Sequence, residues 1–367
     1  MIKRKIKLYY KYLIQIIFRQ LYGKILIPKK KNTLLKKIEI NHSLFKSFTN
    51  KNYNIYSIKS ARIFTDNNEN VAIIKNNKIL PKVSFQQIRG NLRSVKFNSV
   101  IQKGTTSFVK KISGRVFNLC QGASGNNYFH FIFDILPKLY LLNLKINLKK
   151  IDYFYLSDPK KWQIKIFKKL GINENKLLSS KKNKHIFADE ILAVDHPWYN
   201  KGTIQNQVQK LPSWIVFHNN KILKKKSKKF ICNKKIFLDR SNSLYNHCQI
   251  ENPKDLKILL EQNDFSLYRP EKIAFEKQIF LFKNASVIIG AHGAAFTNII
   301  FCKPNTKIIE IMPINHYNKK CERISKILKL KYFRIVTKKN DLDRQYPYKI
   351  SLENKHLKLI NKIINFN

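Results

Sequence analysis

The densest group of chemically useful residues lies in the stretch 286–313, SVIIGAHGAAFTNIIFCKPNTKIIEIMP. The short apolar run before the first glycine is typical of a strand buried in a parallel sheet. Gly290 and Gly293 bracket His292, so the backbone can turn sharply there and approach a ligand closely. Residues 294–301 are predicted to form a short helix whose N–H groups point toward the sheet edge, an arrangement that binds phosphate. The same glycines would also permit close packing of the helix on the sheet, so the pattern alone leaves both interpretations open.

A second candidate pair lies in the segment NYFHFIFDILPKL, residues 127–139. His130 and Asp134 are four positions apart, so a helix would place both on one face. A carboxylate one turn from an imidazole can orient the ring and raise its basicity, which suits a general base. The alternative is a buried pair with only a structural role. The spacing does not choose between the two, nor between His130 and Asp134 as the base.

Alternating strand and helix patterns would position these groups. From residue 151 onward, short apolar runs alternate with helical periodicity, which predicts βαβ units and a parallel sheet. The same alternation resumes after the lysine-rich segment 224–235, and Arg240 follows a predicted strand there. Ligands of such sheets bind beyond the carboxyl ends of the strands. Arg240 and His292 both fall at such ends, and two cations in one crevice suit an anionic phosphate ligand. Arg240 could instead be a surface residue or the partner of a nearby acid.

The chain is strongly basic, with 72 Lys and Arg against 22 Asp and Glu and a formal charge of +50. Lysine is spread along nearly every segment, which is typical of a solvated basic surface. The charge favours contact with anionic membranes and phosphorylated substrates. A nucleic-acid-binding protein is the alternative, but no platform of aromatic and basic residues supports it, and no nucleic-acid partner is expected. The phosphate-binding motifs G-x-x-x-x-G-K-[ST] and G-x-G-x-x-G are both absent from the sequence.

The first 27 residues are basic and apolar at once. Their apolar part is shorter than the roughly 20 residues needed to span a bilayer, and no small-residue cleavage site follows it. A helix lying on an anionic membrane fits this pattern, and so does a helix packed on the domain. Residues 39–113 are predicted to be mainly β, including a strand at 94–101. The five cysteines form no C-x-x-C pair, which predicts reduced, buried thiols in a cytoplasmic protein.

Three stretches together resemble glycosyltransferase family 61. They are NYFHFIFDILPKL, the strand end FLDR, and FEKQIFLFKNASVIIGAHGAAFTNIIFCKPNTKIIEI, and they lie within residues 116–337. The resemblance implies an α/β fold of two Rossmann-like domains facing a cleft, the GT-B architecture. It also implies an inverting transfer from a nucleotide sugar, and bacterial members are often tied to capsule or lipopolysaccharide synthesis.

The resemblance assigns roles to residues by position. It implies that the nucleotide-sugar pocket contains Arg240, Gly290, His292, Gly293, Asn298 and Glu310. Arg240 would contact the diphosphate, and Glu310, at the end of the strand that follows, would be placed for the ribose or the sugar. His130 and Asp134 would be the catalytic residues, facing the cleft from the N-terminal domain. The chain departs from the family at Asn246-His247, where a basic pair is common, which implies diphosphate contacts that differ from those of the family.

These patterns predict four regions: a basic amphipathic segment (1–37), an acceptor-side α/β domain (38–223), a linker (224–235) and a nucleotide-sugar-binding domain (236–367). The expected protein is an inverting glycosyltransferase that needs neither a metal nor a cofactor, with the nucleotide sugar as co-substrate. Its acceptor would be a glycan or a lipid-linked saccharide in surface polysaccharide synthesis. Its expected location is cytoplasmic, at the inner face of the membrane. A non-catalytic, membrane-bound scaffold of the same fold is a further alternative.

Overall fold

The computed structural model describes most of the chain, namely residues 2–29, 35–42, 45, 52–66, 70–88, 90–121, 125, 127–199, 202–203, 207–224, 230–241, 248–316, 318–337 and 349–366. The chain divides into two compact units, Met1–Trp214 and Ile215–Asn367. Most of the predicted linker is described, but its residues 225–229 lie outside the described residues.

The first unit is built on an eight-stranded mixed sheet. Its strands are β1 (Lys36–Ile40), β2 (Tyr53–Thr65), β3 (Val71–Lys75), β4 (Lys78–Ile79), β7 (Lys110–Asn118), β8 (Tyr153–Leu156), β9 (Leu177–Ser179) and β10 (His185–Val194). They run in the order β4-β3-β2-β10-β7-β8-β9, with β1 paired to β2. The neighbours β10, β7, β8 and β9 are parallel, as the alternation predicts, whereas β2 pairs antiparallel with β1, β3 and β10. The strands β5 (Gln87–Ile88), β6 (Asn91–Leu92) and β11 (Gly202–Thr203) form a small separate sheet.

Helices alternate with these strands along the chain. They are α1 (Ile2–Tyr22), α2 (Ser99–Lys103), α3 (Tyr128–His130), α4 (Leu136–Asn143), α5 (Lys161–Lys169) and α6 (Ser213–Lys224), the last crossing into the second unit. Four short 3₁₀ turns accompany them at Val95–Phe97, Leu148–Lys150, Glu174–Lys176 and Val208–Lys210. The strand predicted at 94–101 is wrong, because a 3₁₀ turn and α2 occupy this segment. The side chains of Ser94 and Asn98 cap them by accepting hydrogen bonds from backbone N–H groups two residues on.

The core of the first unit lies along its central strands. Strand β10 is buried at eight of its ten positions, including Ile186, Ala188 and Ile191. The carboxyl half of β7, around Val116 and Phe117, is buried as well. Strands buried on both faces are held rigidly by their neighbours. The segments that leave the carboxyl ends of β7 and β10 therefore start from fixed positions.

The second unit is built on a five-stranded parallel sheet, as the alternation of strands and helices predicts. Its parallel strands are β12 (Lys235–Leu238), β14 (Ser266–Tyr268), β15 (Val287–Ala291), β16 (Lys307–Pro313) and β17 (Lys331–Thr337). Its helices are α7 (Pro253–Gln262), α8 (Phe275–Asn284), α9 (Lys320–Leu328) and α10 (Asn354–Asn365), and its 3₁₀ turns are Pro270–Lys272, Ala294–Phe301 and Ile314–His316. A two-stranded sheet of β13 (Gln249–Ile250) and β18 (Lys349–Ile350) completes it. The strand order β14-β12-β15-β16-β17 reverses direction between β12 and β15. Ligands of doubly wound sheets bind at that reversal.

Gly290 lies at this reversal and pairs with Leu238 of the neighbouring strand. A Cβ atom at position 290 would lie 2.9 Å from both the Cβ and the backbone oxygen of Leu238. Glycine therefore lets β15 approach β12 closely at the edge where a ligand would bind.

Two further sequence expectations concern membrane spanning and thiols. Among the described helices, none combines the length and the apolar character required to cross a bilayer. All five cysteines are free thiols, as predicted. Four of them are buried, and Cys232 is partly exposed.

Candidate active site

The carboxyl edge of the second unit brings Arg240 and Gly293 together. Arg240 comes two residues after β12, and Gly293 comes two residues after β15. A Cβ atom at position 293 would overlap the Arg240 guanidinium, so the guanidinium lies directly against the glycine backbone. The φ angle of Gly293 is 175°, which any residue can adopt. Glycine is therefore required here for space and not for backbone conformation.

A second arginine at this edge is tied to a carboxylate. Arg269 Nε donates to Asp239 Oδ2 at 2.7 Å, and the backbone N–H of Ser241 donates to Asp239 Oδ1 at 2.9 Å. Burial alone would raise the pKa of Asp239, but the bonds from Ser241 and Arg269 lower it below its usual value. The acid next to Arg240 in sequence is thus ionised and engaged by Arg269.

His292 is held by a buried carboxylate. Its Nδ1 lies 2.6 Å from Glu310 Oε1, and its backbone N–H donates to the Ile311 carbonyl at 2.7 Å. Glu310 is fully buried and also accepts hydrogen bonds from Cys321 Sγ at 3.0 Å and from the Tyr332 hydroxyl at 2.6 Å. Because Nδ1 is committed to Glu310, Nε2 is the ring nitrogen that remains for a ligand.

The protonation of this pair follows from burial and from its neighbours. Burial lowers the pKa of His292, Lys320 and Arg240 lower it further, and Glu310 acts in the opposite direction. Burial alone would raise the pKa of Glu310, but His292, Cys321 and Tyr332 lower it. The free protein therefore holds a neutral imidazole whose Nδ1–H donates to an ionised Glu310.

Lys320 is a site residue that the sequence did not reveal. It is the first residue of α9, it is 7% exposed, and its Nζ donates to the Gly293 carbonyl at 3.1 Å. Burial lowers the pKa of Lys320. One lysine among so many carries no sequence signal, and only its burial distinguishes it. Arg240 and Lys320 thus bring two basic side chains to the Gly293 backbone.

Two predicted pocket residues have structural partners. Asn298 is fully buried in the 3₁₀ turn Ala294–Phe301, and its Nδ2 donates to Gln278 of α8 at 2.7 Å. Glu310 lies in the middle of β16, three residues before its end, rather than at the strand end as predicted. Contact of either residue with a nucleotide stays a prediction. Residues 242–247, which include the departure Asn246-His247, lie outside the described residues.

His292, Glu310 and Cys321 have the donor types of a zinc site, and their ligand atoms all lie within 4.8 Å of one another. However, the Glu310 oxygens already accept three hydrogen bonds. The positive charges of Lys320 and Arg240 also act on His292 and would oppose a divalent cation. The arrangement therefore fits a hydrogen-bonded cluster better than a metal site, and independence from metal stays a prediction.

The first unit holds His130 and Asp134 on one helical segment, residues 128–143. Asn127 Oδ1 caps its start by accepting from the N–H groups of Phe129 and His130 at 3.0 and 3.3 Å. The turn Phe131–Ile135 is a π-helix between α3 and α4. Pro137 follows it and has no N–H to donate, so the α-helical bonding pattern is interrupted there. Asp134 lies on this widened turn, a feature that is frequent at functional sites.

Asp134 is fully buried and saturated with donors. Its Oδ2 lies 2.7 Å from His130 Nδ1 and accepts from Gln121 Nε2 at 2.8 Å, while Oδ1 accepts from Trp198 Nε1 at 2.6 Å. Burial alone would raise the pKa of Asp134, but His130 and His196 lower it well below its usual range. An ionised, saturated carboxylate is a poor base and a good orienting group. Within the described residues, no hydrogen-bond partner faces His130 Nε2.

Sequence reasoning missed three groups around Asp134. Gln121 follows β7, and His196 and Trp198 follow β10, two parallel neighbours that end at the same edge. His196 Nε2 lies 3.8 Å from Asp134 Oδ2. The signal that could have found His196 and Trp198 is the polar and aromatic run DHPWY, residues 195–199, immediately after β10.

A buried lysine also lies near Asp134. Lys138 is one turn further along the helix and 6% exposed. Burial lowers the pKa of Lys138 to about 8, and the charge of Asp134 acts in the opposite direction. The carboxylate therefore sits among one cationic and two imidazole side chains, which reinforces its ionised state.

Two comparisons with known proteins find similar sequences. A family model described as Glycosyltransferase 61 matches residues 128–309, from the first residue of α3 into β16. This range includes every predicted site residue except Glu310. A Beta-1,2-xylosyltransferase of Arabidopsis thaliana is 40% identical over 60 residues, which is 16% of this chain and 11% of that protein. The chain therefore matches only about a tenth of that relative. Together these findings show that part of this chain is similar to glycosyltransferases.

We expect Asp134→Ala to destabilise the first unit strongly. The substitution leaves the donors of His130, Gln121 and Trp198 buried without an acceptor, and removing one member of a buried charged network typically costs about 3–5 kcal/mol. Urea unfolding followed by circular dichroism would measure the loss. The control is Asp158→Ala, because Asp158 is one-third exposed and bonded to Ser179 and Lys160, so we expect a cost of about 1 kcal/mol or less. Equal costs for the two variants would contradict a saturated network around Asp134.

Proposed function

We propose that this chain is a glycosyltransferase that binds its nucleotide-sugar donor at the carboxyl edge of the second unit. The observation that carries the proposal is the contact between the Arg240 guanidinium and the Gly293 backbone where the strand order reverses. A diphosphate is the anionic group that such an edge suits. The family match over residues 128–309 supports the same reading.

The groups at this edge would stabilise the negative charge of the leaving diphosphate. Arg240 and Lys320 supply fixed positive charge beside the Gly293 backbone, and His292 Nε2 lies on the ring held by Glu310. Fixed charges and donors aimed at a developing anion each lower a transition state by about 3–4 kcal/mol. In this proposal the side chains perform the stabilisation without a metal.

We further propose that His130 is the general base and Asp134 its positioning residue. His130 Nε2 takes the proton of the acceptor hydroxyl while that oxygen attacks the anomeric carbon and the bond to the diphosphate breaks. This single displacement inverts the anomeric centre. Asp134 keeps the proton on Nδ1 and stabilises the imidazolium that forms, as the buried carboxylate of a catalytic triad does.

The substrate and the location are proposals from resemblance. The proposed acceptor is a glycan or a lipid-linked saccharide. The proposed role is capsule or lipopolysaccharide synthesis, and the proposed location is the cytoplasm. The xylosyltransferase relative adds a nucleotide-xylose to the donors worth testing.

The first test is a thermal-shift screen of the purified chain against UDP, GDP, CMP and their sugars, with and without EDTA. A nucleotide at 100 times its dissociation constant should stabilise the protein by about 2.7 kcal/mol. We expect a shift with one nucleotide class that EDTA does not remove. A cooperative melt that no nucleotide shifts would refute donor binding, and a shift lost in EDTA would refute metal independence.

Two glycine variants separate binding from folding in that screen. Gly293→Ala should melt near the wild-type temperature, because only the flexible end of Arg240 must move, yet it should lose most of the nucleotide shift. Gly290→Ala should lower the melting temperature without ligand, because its Cβ would press on Leu238 and on rigid backbone, at a cost of about 1–3 kcal/mol. A full nucleotide shift in Gly293→Ala would contradict the placement of the diphosphate.

Donor affinity should rise as the pH falls. The pKa of His292 lies below its usual value in the free protein, and a bound diphosphate would raise it, so binding takes up a proton. A nucleotide sugar should be the ligand in this measurement, because both of its phosphates stay ionised near neutral pH and take up no proton themselves. Calorimetry in two buffers of different ionisation enthalpy would measure the uptake, and His292→Gln should abolish it. Proton release on binding would contradict the role given to His292.

His130→Ala should lower kcat by about 10²- to 10⁴-fold, the usual contribution of a general base. Donor affinity should stay unchanged, since the residue serves the acceptor. The fold should survive, because Gln121 and Trp198 still donate to Asp134. His356→Ala, at the start of α10, is the histidine control and should retain activity. Full activity in His130→Ala would remove it from the reaction.

A further inference from the structure

Helix α1 carries a row of large apolar side chains on its outer surface. Ile6, Tyr9, Leu13, Ile16 and Ile17 are 37–66% exposed. Their spacing of three and four residues places them on one face of the helix. A stripe of this kind is normally buried against the protein, so its exposure calls for a partner.

The protein body holds the other side of this helix. Phe18 is 9% exposed and meets Phe108 edge to face at a centroid distance of 5.0 Å. The Tyr22 hydroxyl accepts from the Val109 N–H at 3.0 Å, and the Tyr22 ring lies 5.0 Å from the His185 ring. At 3.6 residues per turn, Phe18 and Tyr22 lie roughly opposite Tyr9 and Leu13 on the helix. The anchored end therefore turns the apolar stripe away from the body.

The same helix is basic and has no acidic residue. Lys5, Lys7, Lys11 and Arg19 are exposed along it. A partner must therefore offer an apolar surface beside negative charge. A second copy of α1 would offer the apolar surface but would bring like charges together, which opposes pairing.

We infer that α1 is an interfacial helix that lies on the surface of an anionic lipid bilayer. Its stripe would enter the boundary between headgroups and acyl chains, and the positive charge of the helix would be attracted to the anionic phosphates. Tyrosine is favoured at this depth, and Tyr9, Tyr10 and Tyr12 are all more than 60% exposed. This inference does not rest on the proposed enzymatic function, because α1 contributes no residue to either candidate site.

The test uses the full chain and sedimentation with vesicles of phosphatidylcholine alone or mixed with phosphatidylglycerol. We expect binding to the mixed vesicles and little binding to the neutral ones. The variant Ile6→Ser, Leu13→Ser, Ile17→Ser keeps the charge and loses three large apolar groups. Since burial of each group favours the bound state, we expect at least tenfold weaker binding, roughly the effect of one such side chain.

A matched control removes the same number of exposed apolar side chains elsewhere. Ile231→Ser, Leu267→Ser, Leu359→Ser changes positions that are 102%, 44% and 44% exposed and lie outside α1. It should bind vesicles like the wild type. Both triple variants should keep the wild-type melting temperature, since each alters only exposed side chains.

Two results would overturn the inference. Undiminished vesicle binding by the α1 variant would mean that the net positive charge alone holds the protein on the bilayer. A wild-type dimer in light scattering that becomes a monomer in the α1 variant would assign the stripe to a second copy. The nucleotide thermal shift of the α1 variant should equal that of the wild type, so a failure here is distinguishable from a failure of the proposed function.

Discussion

Two buried carboxylates set the geometry of this protein. Asp134 and Glu310 have no exposed surface, and an ionised group is stable in the interior only when hydrogen bonds replace its hydration. Each carboxylate therefore draws in several donors, and one donor in each case is the Nδ1 of a histidine. The two histidines are thereby fixed in tautomer and direction, with Nε2 turned away from the carboxylate. The same solution appears in both units, on a helix in one and between adjacent strands in the other.

The parts that the sequence predicted well depend on local patterns. In the second unit, apolar runs, glycines and helix boundaries predicted the parallel strands, and the rule that ligands bind at strand ends selected Arg240 and His292. Distant pairings were beyond such reasoning. The antiparallel pairing of β2 with β10 joins residues more than 120 positions apart, for example Ile58 with Ile191, and no local pattern encodes it. The donors Gln121 and Trp198 became visible only because β7 and β10 end side by side.

Acidic residues are scarce in this chain, and several of the buried ones pair with particular basic side chains. Glu190 of β10 is another example, since it is 7% exposed and meets Ser57, Lys59 and Arg115. Asp239 likewise engages Arg269. Carboxylates in these places neutralise particular cations inside the fold. Most of the positive charge stays on the surface, where it favours anionic partners of any kind, so the net charge alone selects no particular partner.

The π-helical turn before Pro137 affects the direction in which the His130 side chain points. Such a turn holds one residue more than an α-helical turn, so the two flanking helices differ in angular phase by about 100°. The residues before the turn can thus face one set of neighbours while Leu139 and Leu142 pack against another. An unbroken α-helix would couple the two orientations. The extra residue of the π-helical turn rotates the residues before it relative to those of α4. The direction of the imidazole can therefore be set independently of how α4 packs.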